Sequence, residues 1–330
     1  MSGKHYTKYT TTGSNRTPGL ALLAAAALAT AALVVKQKTG QAEIEHPPQG
    51  KFMEVDSVRL HYVERGTGEP IILLHGNGSM LDDFIMSGVV DGLARRHRVI
   101  AFDRPGFGHS LRPTGRTWDQ QAQAALFNKA LQQLNVVSPV VVGHSWGAMV
   151  AAAMALAHPA SIKHLILVSG YYYPTARLDV PVMSLPAVPG IGTLMRHTIS
   201  PLISRMMWPM ISKKLFAPAE VSENFKKWPV WMSLRPSQLR ASAAETAMMI
   251  PGAAAMKEHY AKLTMPVTII AGDGDQIVDT PTQSQQLHEA ISQSKFIIVP
   301  GAGHMVQHID SQAVMTAIEN STSAPAQSAA

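Results

Sequence analysis

From residue 52 onward, apolar positions gather into short runs separated by longer stretches with helical spacing. The runs at 55–63, 70–74, 98–102, 140–142, 164–168, 267–271 and 296–299 predict strands. Residues 118–134 carry apolar positions at three- and four-residue intervals and predict a helix. Residues 146–157 predict another, stopped at His158-Pro159. Short apolar strands alternating with helices imply an α/β fold with a mostly parallel sheet covered on both faces. No internal repeat is present.

Two segments depart from this alternation. Residues 20–35 are almost all Ala, Leu and Val, and the uncharged run begins at Thr17. As a helix, 19 residues reach about 28 Å at about 1.5 Å per residue, against a bilayer core of about 30 Å. The run is therefore expected to be a transmembrane anchor or a signal segment. A small-residue cleavage site ends at Ala42, with Gly40 two positions earlier, but Lys36 and Lys38 lie between it and the run. That order favours an uncleaved anchor. The second departure, residues 171–260, holds nine of the 18 Met, three of the five Trp and ten prolines. It predicts several short helices inserted as a lid, whose Met and Trp serve either an adaptable apolar surface or packing onto the body. The expected organisation is a basic tail over 1–19, the apolar segment over 20–35 and a polar linker over 36–50. The core follows over 51–170 and 261–320, the lid over 171–260 and a disordered tail over 321–330.

Composition narrows the picture. The chain has 330 residues, 46% apolar and 15% charged, which fits a folded body rather than wholesale disorder. It has no cysteine, so thiolate metal sites and thiol catalysis are excluded. Of the net charge of +6, five charges sit in the first 40 residues as Lys4, Lys8, Arg16, Lys36 and Lys38, with no acid among them. The remaining chain is nearly neutral, which argues against a nucleic-acid surface. Basic residues ahead of the apolar run place the N-terminus inside, and the body is then expected outside the cytoplasm, periplasmic in a bacterium, either anchored or secreted after cleavage.

The chemistry centres on Gly143-His144-Ser145-Trp146-Gly147, a G-x-S-x-G that follows Val140-Val141-Val142 and opens an Ala-rich helix. This strand–turn–helix context is what a nucleophile elbow requires. The sharp turn needs small residues two positions either side of the serine and pushes the Ser145 hydroxyl above the sheet.

Four motifs in order resemble the α/β-hydrolase superfamily over roughly residues 52–320. His75-Gly76-Asn77-Gly78 resembles its oxyanion loop, and Asp103-Arg104-Pro105-Gly106-Phe107-Gly108-His109-Ser110 its D-x-x-G-x-G-x-S turn. GHSWG resembles the elbow. Gly272-Asp273-Gly274-Asp275 and Gly301-Ala302-Gly303-His304 resemble the acid and histidine loops. The resemblance implies an α/β-hydrolase fold with a helical lid, and the triad Ser145, Asp275 and His304 in the family's chain order. Asp273 and Asp279 compete for the acid role; Asp273 is too close to the strand end and Asp279 lies outside the family spacing. The chemistry agrees: a serine hydroxyl needs a base, imidazole titrates near neutrality, and a buried carboxylate fixes its tautomer. The family pattern assigns the oxyanion donors to the backbone N–H groups of Asn77 and Trp146. His75 is expected to bond the loop backbone rather than act in catalysis, and the glycine-rich turn containing Arg104 to be structural.

Asn77 and Trp146 also resemble the halide-holding pair of haloalkane dehalogenases, which carry an aspartate at the elbow, as epoxide hydrolases do. Ser145 stands there instead, so dehalogenation and epoxide opening are disfavoured. The expected function is a membrane-anchored serine hydrolase of lipophilic carboxylic esters, working without metal or organic cofactor. Its expected partners are a small ester or acyl substrate and the membrane, through residues 20–35. The alternatives are cleavage of a C–C bond, amide or lactone, or cofactor-free perhydrolysis, by the same triad. A different class is a non-catalytic, membrane-anchored binding module, or an accessory protein in handling a membrane-bound pigment or cofactor. The sequence does not specify the acyl chain or the oligomeric state.

Overall fold

The computed structural model describes residues 17–322. The expected basic tail over 1–19 lies outside them up to residue 16. The expected disordered tail lies outside them from residue 323.

Helix α1 (Thr17–Glu45) comes first. Strands β1 (Lys51–Val55), β2 (Val58–Arg65) and β3 (Glu69–Leu74) follow. Short helices α2 (Asp82–Met86) and α3 (Val89–Leu93) lead to β4 (His97–Phe102). Next come α4 (Gln120–Gln133), β5 (Val140–His144), α5 (Trp146–Ala157) and β6 (His164–Val168). The segment after β6 is helical throughout its regular elements. It holds α6 (Val180–Ser184), α7 (Ile191–His197), α8 (Ile199–Phe216), α9 (Val230–Ser233) and α10 (Pro236–Met256). The chain closes with β7 (Val267–Gly272), α11 (Gln286–Ala290), β8 (Ser294–Val299), α12 (Val306–Ile309) and α13 (Ser311–Thr322).

All eight strands form one sheet in the order β1-β2-β4-β3-β5-β6-β7-β8. Strands β3 to β8 pair in parallel, and β1 and β2 join antiparallel at one edge. Strands β5, β6 and β7 are buried along their whole length, as expected of parallel strands covered on both faces. One apolar layer joins α4 and α5 to the sheet, and a second packs α2, α3 and α13 on the other face. The chain runs from β3 outward to β4, then returns to place β5 on the other side of β3. That reversal opens a crevice beyond the carboxyl ends of β3 and β5, where ligands bind in open α/β sheets.

Two expectations are corrected. The strand predicted over 55–63 is a hairpin: Val55 pairs with Val58. Asp56 and Ser57 both take positive φ (49° and 62°), as a two-residue turn of this hand requires. Residues 36–50, expected as a linker, are helical to Glu45. Thr39 Oγ1 donates to the Val35 carbonyl (2.8 Å) and Gln41 to Glu45 (2.8 Å), so polar side chains support the helix until Pro47-Pro48 ends it.

One face of α1 carries the buried residues Val35, Thr39 and Ala42 and rests against α7, α8 and α9. Ala42 enters a cluster with Met80, Phe216, Phe225, Trp228, Met232 and Met305, and Glu43 pairs with Arg235 Nη1 at 3.1 Å. Burial of these groups is worth about 2–4 kcal/mol. A chain beginning at His46 should therefore melt several degrees below the full chain in the same detergent. Equal midpoints by differential scanning calorimetry would show that α1 contributes nothing to the body.

Candidate active site

The elbow is built by close packing. Parallel pairing sets Leu74 beside Gly143, so the chain leaves β3 and β5 side by side. Ser145 takes φ 54°, an unfavourable conformation for a side-chain-bearing residue, and its N–H is held by the Val168 carbonyl (2.9 Å). A Cβ on Gly143 would lie 2.3 Å from the Gly147 carbonyl oxygen; one on Gly147 would lie 2.2 Å from that of Leu74. Both positions admit only glycine. Trp146 is the first helical residue of α5 and carries one of the N–H groups a helix leaves unpaired.

The acid and histidine loops meet. His304 Nδ1 lies 2.8 Å from Asp275 Oδ2, while Asp275 Oδ1 accepts the N–H groups of Ile277 (2.8 Å) and Val278 (2.9 Å). Burial works to raise the Asp275 pKa. The His304 imidazole and the two backbone donors outweigh it, and the carboxyl stays below the usual carboxylate range. An ionised Asp275 accepts a hydrogen bond from Nδ1–H, which leaves Nε2 as the acceptor. The competing acids have other roles: Asp273 Oδ1 accepts the Gly301 N–H (2.7 Å), and Asp279 Oδ1 accepts from Thr282. Among the described residues no hydrogen bond joins Ser145 Oγ to His304. Such bonds are often long before substrate binds. His144, the residue before Ser145, ties the elbow to the histidine loop instead: its Nε2 donates to the His304 carbonyl (3.0 Å), and the two rings lie 4.9 Å apart.

The oxyanion loop is pinned from beneath. His75 Nε2 accepts the Arg104 N–H (2.9 Å), which puts the proton on Nδ1, where it is donated to the Gly76 carbonyl (2.8 Å). Burial, reinforced by the Arg104 charge, lowers the His75 pKa to about 3, so the ring is a neutral structural group. No backbone or side-chain acceptor takes the Asn77 N–H among the described residues. The Asn77 side chain points elsewhere, its Nδ2 donating to Ser242 O (3.2 Å) and Thr246 Oγ1 (3.1 Å) on α10. The D-x-x-G-x-G-x-S turn is organised by Asp103, which accepts the N–H groups of Leu81 and His109 and bonds His61. Gly108 is required there, because a Cβ would fall 2.0 Å from the carboxylate.

Sequence reasoning missed a buried polar cluster behind the histidine loop. Asp83 bonds His308 Nε2 (2.6 Å) and Gln307 Nε2 (3.1 Å), and His144 Nδ1 lies 3.6 Å away. Burial works to raise the Asp83 pKa, but His308 and its neighbours hold it at about 2. Burial, aided by His304, depresses the His144 pKa to about 4. Only the chance that a histidine precedes the nucleophile hinted at this cluster. A cavity of about 480 Å³ is lined by Asp275, Tyr171, Arg177, Lys214 and Gln283, among others, but not by Ser145 or His304.

The sheet order and this site define the class. The alpha/beta hydrolase family model matches residues 69–311, and the chain belongs to that family. Haloalkane dehalogenase 2 of Mycobacterium tuberculosis is 29% identical over 147 residues, 43% of this chain; the match spans only 51% of that relative's length. Lipase 3 of a Moraxella species is 26% identical over 276 residues, 81% of this chain and 84% of the lipase. The solved esterase of Exiguobacterium antarcticum superposes with a TM-score of 0.70, covering 83% of this chain and all of that one. Its 21% identity makes this a likeness of fold.

His75 and His144 are buried and neutral in the fold but ordinary in the unfolded chain. Between about pH 6.5 and their folded values the unfolded state binds more protons, so stability falls as pH falls. Each histidine contributes about 1.4 kcal/mol per pH unit over that window. Urea melts at pH 7.5, 5.5 and 4.5 should show the loss, with less of it in His144→Asn. A flat profile over this range would contradict the buried neutral assignment.

Proposed function

We propose that this chain is a membrane-anchored serine hydrolase that cleaves lipophilic carboxylic esters. The observation that carries this is the bonded Asp275–His304 pair, tied through the His304 carbonyl to the residue before a serine on a glycine-flanked elbow. Asp275 keeps the proton on Nδ1, so His304 Nε2 is free to take the Ser145 proton as Oγ attacks the ester carbonyl. The developing oxyanion is met by the N–H groups of Asn77 and Trp146, each worth about 3–4 kcal/mol in the transition state. His304 then protonates the departing alkoxide, and water, activated by the same imidazole, releases the acid from the acyl-enzyme. Displacement at an alkyl halide or epoxide carbon does not fit. It would leave an ether on Ser145 with no carbonyl for water to attack.

The lipophilic and membrane parts of the proposal rest on surface chemistry. Residues 19–45 form a helix long and apolar enough to cross a membrane by length and composition, with 6% of its most apolar window buried; a signal sequence passes the same test. The uncleaved anchor is favoured because Val35, Thr39 and Ala42 pack on α7–α9. Nearby, α6–α8 expose Val182, Met183, Ile191, Leu194, Ile203 and Met206, the last 76% exposed. Exposed apolar surface on this scale marks an interaction site. The segment over 171–260 then serves as a lid at the bilayer surface. Lys4, Lys8 and Arg16 ahead of the run set the body outside the cytoplasm.

The full chain in detergent should be labelled by a fluorophosphonate and should hydrolyse p-nitrophenyl esters, with an optimum at medium or long acyl chains. Ser145→Ala should lose labelling and at least ~10⁴-fold in kcat. Asp275→Asn should retain KM and lose about 10⁴-fold in kcat through the wrong imidazole tautomer. Absence of labelling in a folded wild-type chain would sink the hydrolase. Alkaline carbonate should leave the full chain in the membrane pellet and release a chain lacking residues 1–45. Release of the full chain would remove the anchor.

A further inference from the structure

Arg104 has no solvent exposure and lies beneath the oxyanion loop. All five of its guanidinium N–H donors are used. Nε donates to His75 O (2.7 Å), and Nη2 to Gly76 O (2.9 Å) and Glu245 Oε2 (3.0 Å). Nη1 donates to Glu245 Oε1 (2.5 Å) and Gln123 Oε1 (3.0 Å). Glu245, on α10, is equally buried and also accepts from Gln123 Nε2 (2.8 Å). A buried ion pair adds little net stability over apolar groups of the same size. Its value here is geometric, and its two carbonyl partners belong to the residues immediately before Asn77.

The Gly76 carbonyl and the Asn77 N–H are the two ends of one planar, trans peptide, so fixing the oxygen fixes the N–H in the opposite direction. Arg104 Nη2 and His75 Nδ1 both hold that oxygen on the inner side. The loop packs on the nucleophile at this point: a Cβ on Gly76 would lie 3.0 Å from Ser145 Cβ. Helix α10 grips the same loop again through Ser242 and Thr246 on the Asn77 side chain. Gln238 Nε2 adds bonds to the carbonyls of Gly78 (3.4 Å) and Ser79 (3.2 Å). Positions 238, 242, 245 and 246 share one face of the helix.

We propose that Arg104 and Glu245 are a positioning pair that orients the Asn77 N–H, and that α10 is a fixed part of the oxyanion hole rather than a movable cover. The kinetic consequence rests on the ester-hydrolase proposal; the peptide orientation does not.

The test compares the full-length wild type with Glu245→Gln, Arg104→Lys and the double variant Arg104→Met/Glu245→Leu. The apolar double variant removes both charges of the bidentate pair together; Arg112, whose Nη1 lies 3.7 Å from Glu245 Oε1, also loses its anion, so folding is checked first by circular dichroism. With active sites titrated, its kcat on a p-nitrophenyl ester should fall about 30-fold while KM changes less than threefold. Removing a whole oxyanion donor costs about 10²–10³-fold, and a misaligned donor should cost less. Affinity for a trifluoromethyl ketone, which binds as a tetrahedral adduct, should fall in parallel. Arg104→Lys, with a point charge in place of the fork, should not rescue kcat, and Glu245→Gln, which keeps shape and most bonds, should lose less than tenfold. Crystal structures should show the Gly76 carbonyl turned or split between orientations in the double variant. A folded double variant with kcat and inhibitor affinity within threefold of wild type and an unmoved peptide would overturn the proposal. If the double variant fails to fold, an unaltered kcat and inhibitor affinity in folded Arg104→Lys would overturn it equally. Should the wild type itself neither label nor turn over, the ester reading fails, and the peptide orientation in the crystals still decides the positioning claim.

Discussion

The site depends on how closely α5 approaches the end of β3. The first turn of the helix sits against the carbonyl oxygens of Leu74 and His75, where only a glycine at 147 leaves room. This contact brings two strands' ends into one site. It sets the strained Ser145 at the helix N-terminus and the unpaired Trp146 N–H beside it, and lets the oxyanion loop from β3 fold over both. The level pairing of Leu74 with Gly143 is what makes the approach possible, because a shift of one residue would separate the nucleophile from the loop. Sheet order does the rest, since the chain reverses direction across β3 and so opens the crevice at this edge.

His304 is delivered from further along the chain and is held with corresponding care. The His304 N–H is taken by Leu215 O (2.9 Å) at the end of α8, and Gly303 packs so tightly there that a Cβ would lie 2.5 Å from Ala217 O. From the core side, His144 bonds the His304 carbonyl and faces Asp83. The histidine loop is thus clamped between the helical segment and the elbow. Asp83 serves as the buried anion against which His308 and Gln307 are oriented. An acid so deeply buried stays ionised because its partners together outweigh the loss of hydration.

What the sequence disclosed was local. The strands that are buried on both faces appear as apolar runs, and the elbow, acid and histidine loops are each a few contiguous residues at a strand end. Glu245 and Arg104 are 141 positions apart, and Asp83 and His308 are 225 apart. Nothing in either neighbourhood announces the other, and a lone acid in a helix normally reads as a solvated group. The hairpin at Asp56-Ser57 was hidden because these residues are weaker turn formers than Asn-Gly, and the flanking apolar residues run on through them. The extension of α1 to Glu45 was hidden because Gly40 and a polar composition resemble a linker. Tertiary contacts at Val35, Thr39 and Ala42 hold the helix there.

The helical segment after β6 is not mechanically uniform, and this bears on how substrate enters. Helix α10 is joined to the oxyanion loop by a bidentate buried ion pair and by bonds along one face. Separating it would strand a charge in the interior, at a cost of about 3–5 kcal/mol. Among the described residues, helices α6 to α8 have no buried ion pair of this kind along their outer side, where apolar side chains face outward, Leu178 just ahead of them being 94% exposed. Under the proposed ester reading, an opening for an acyl chain would form on the α6–α8 side. The end of α8 is the exception, since the Leu215 carbonyl holds the His304 N–H. Movement there would displace His304, so the proposed access would lie toward the N-terminal part of α8 and the helices before it.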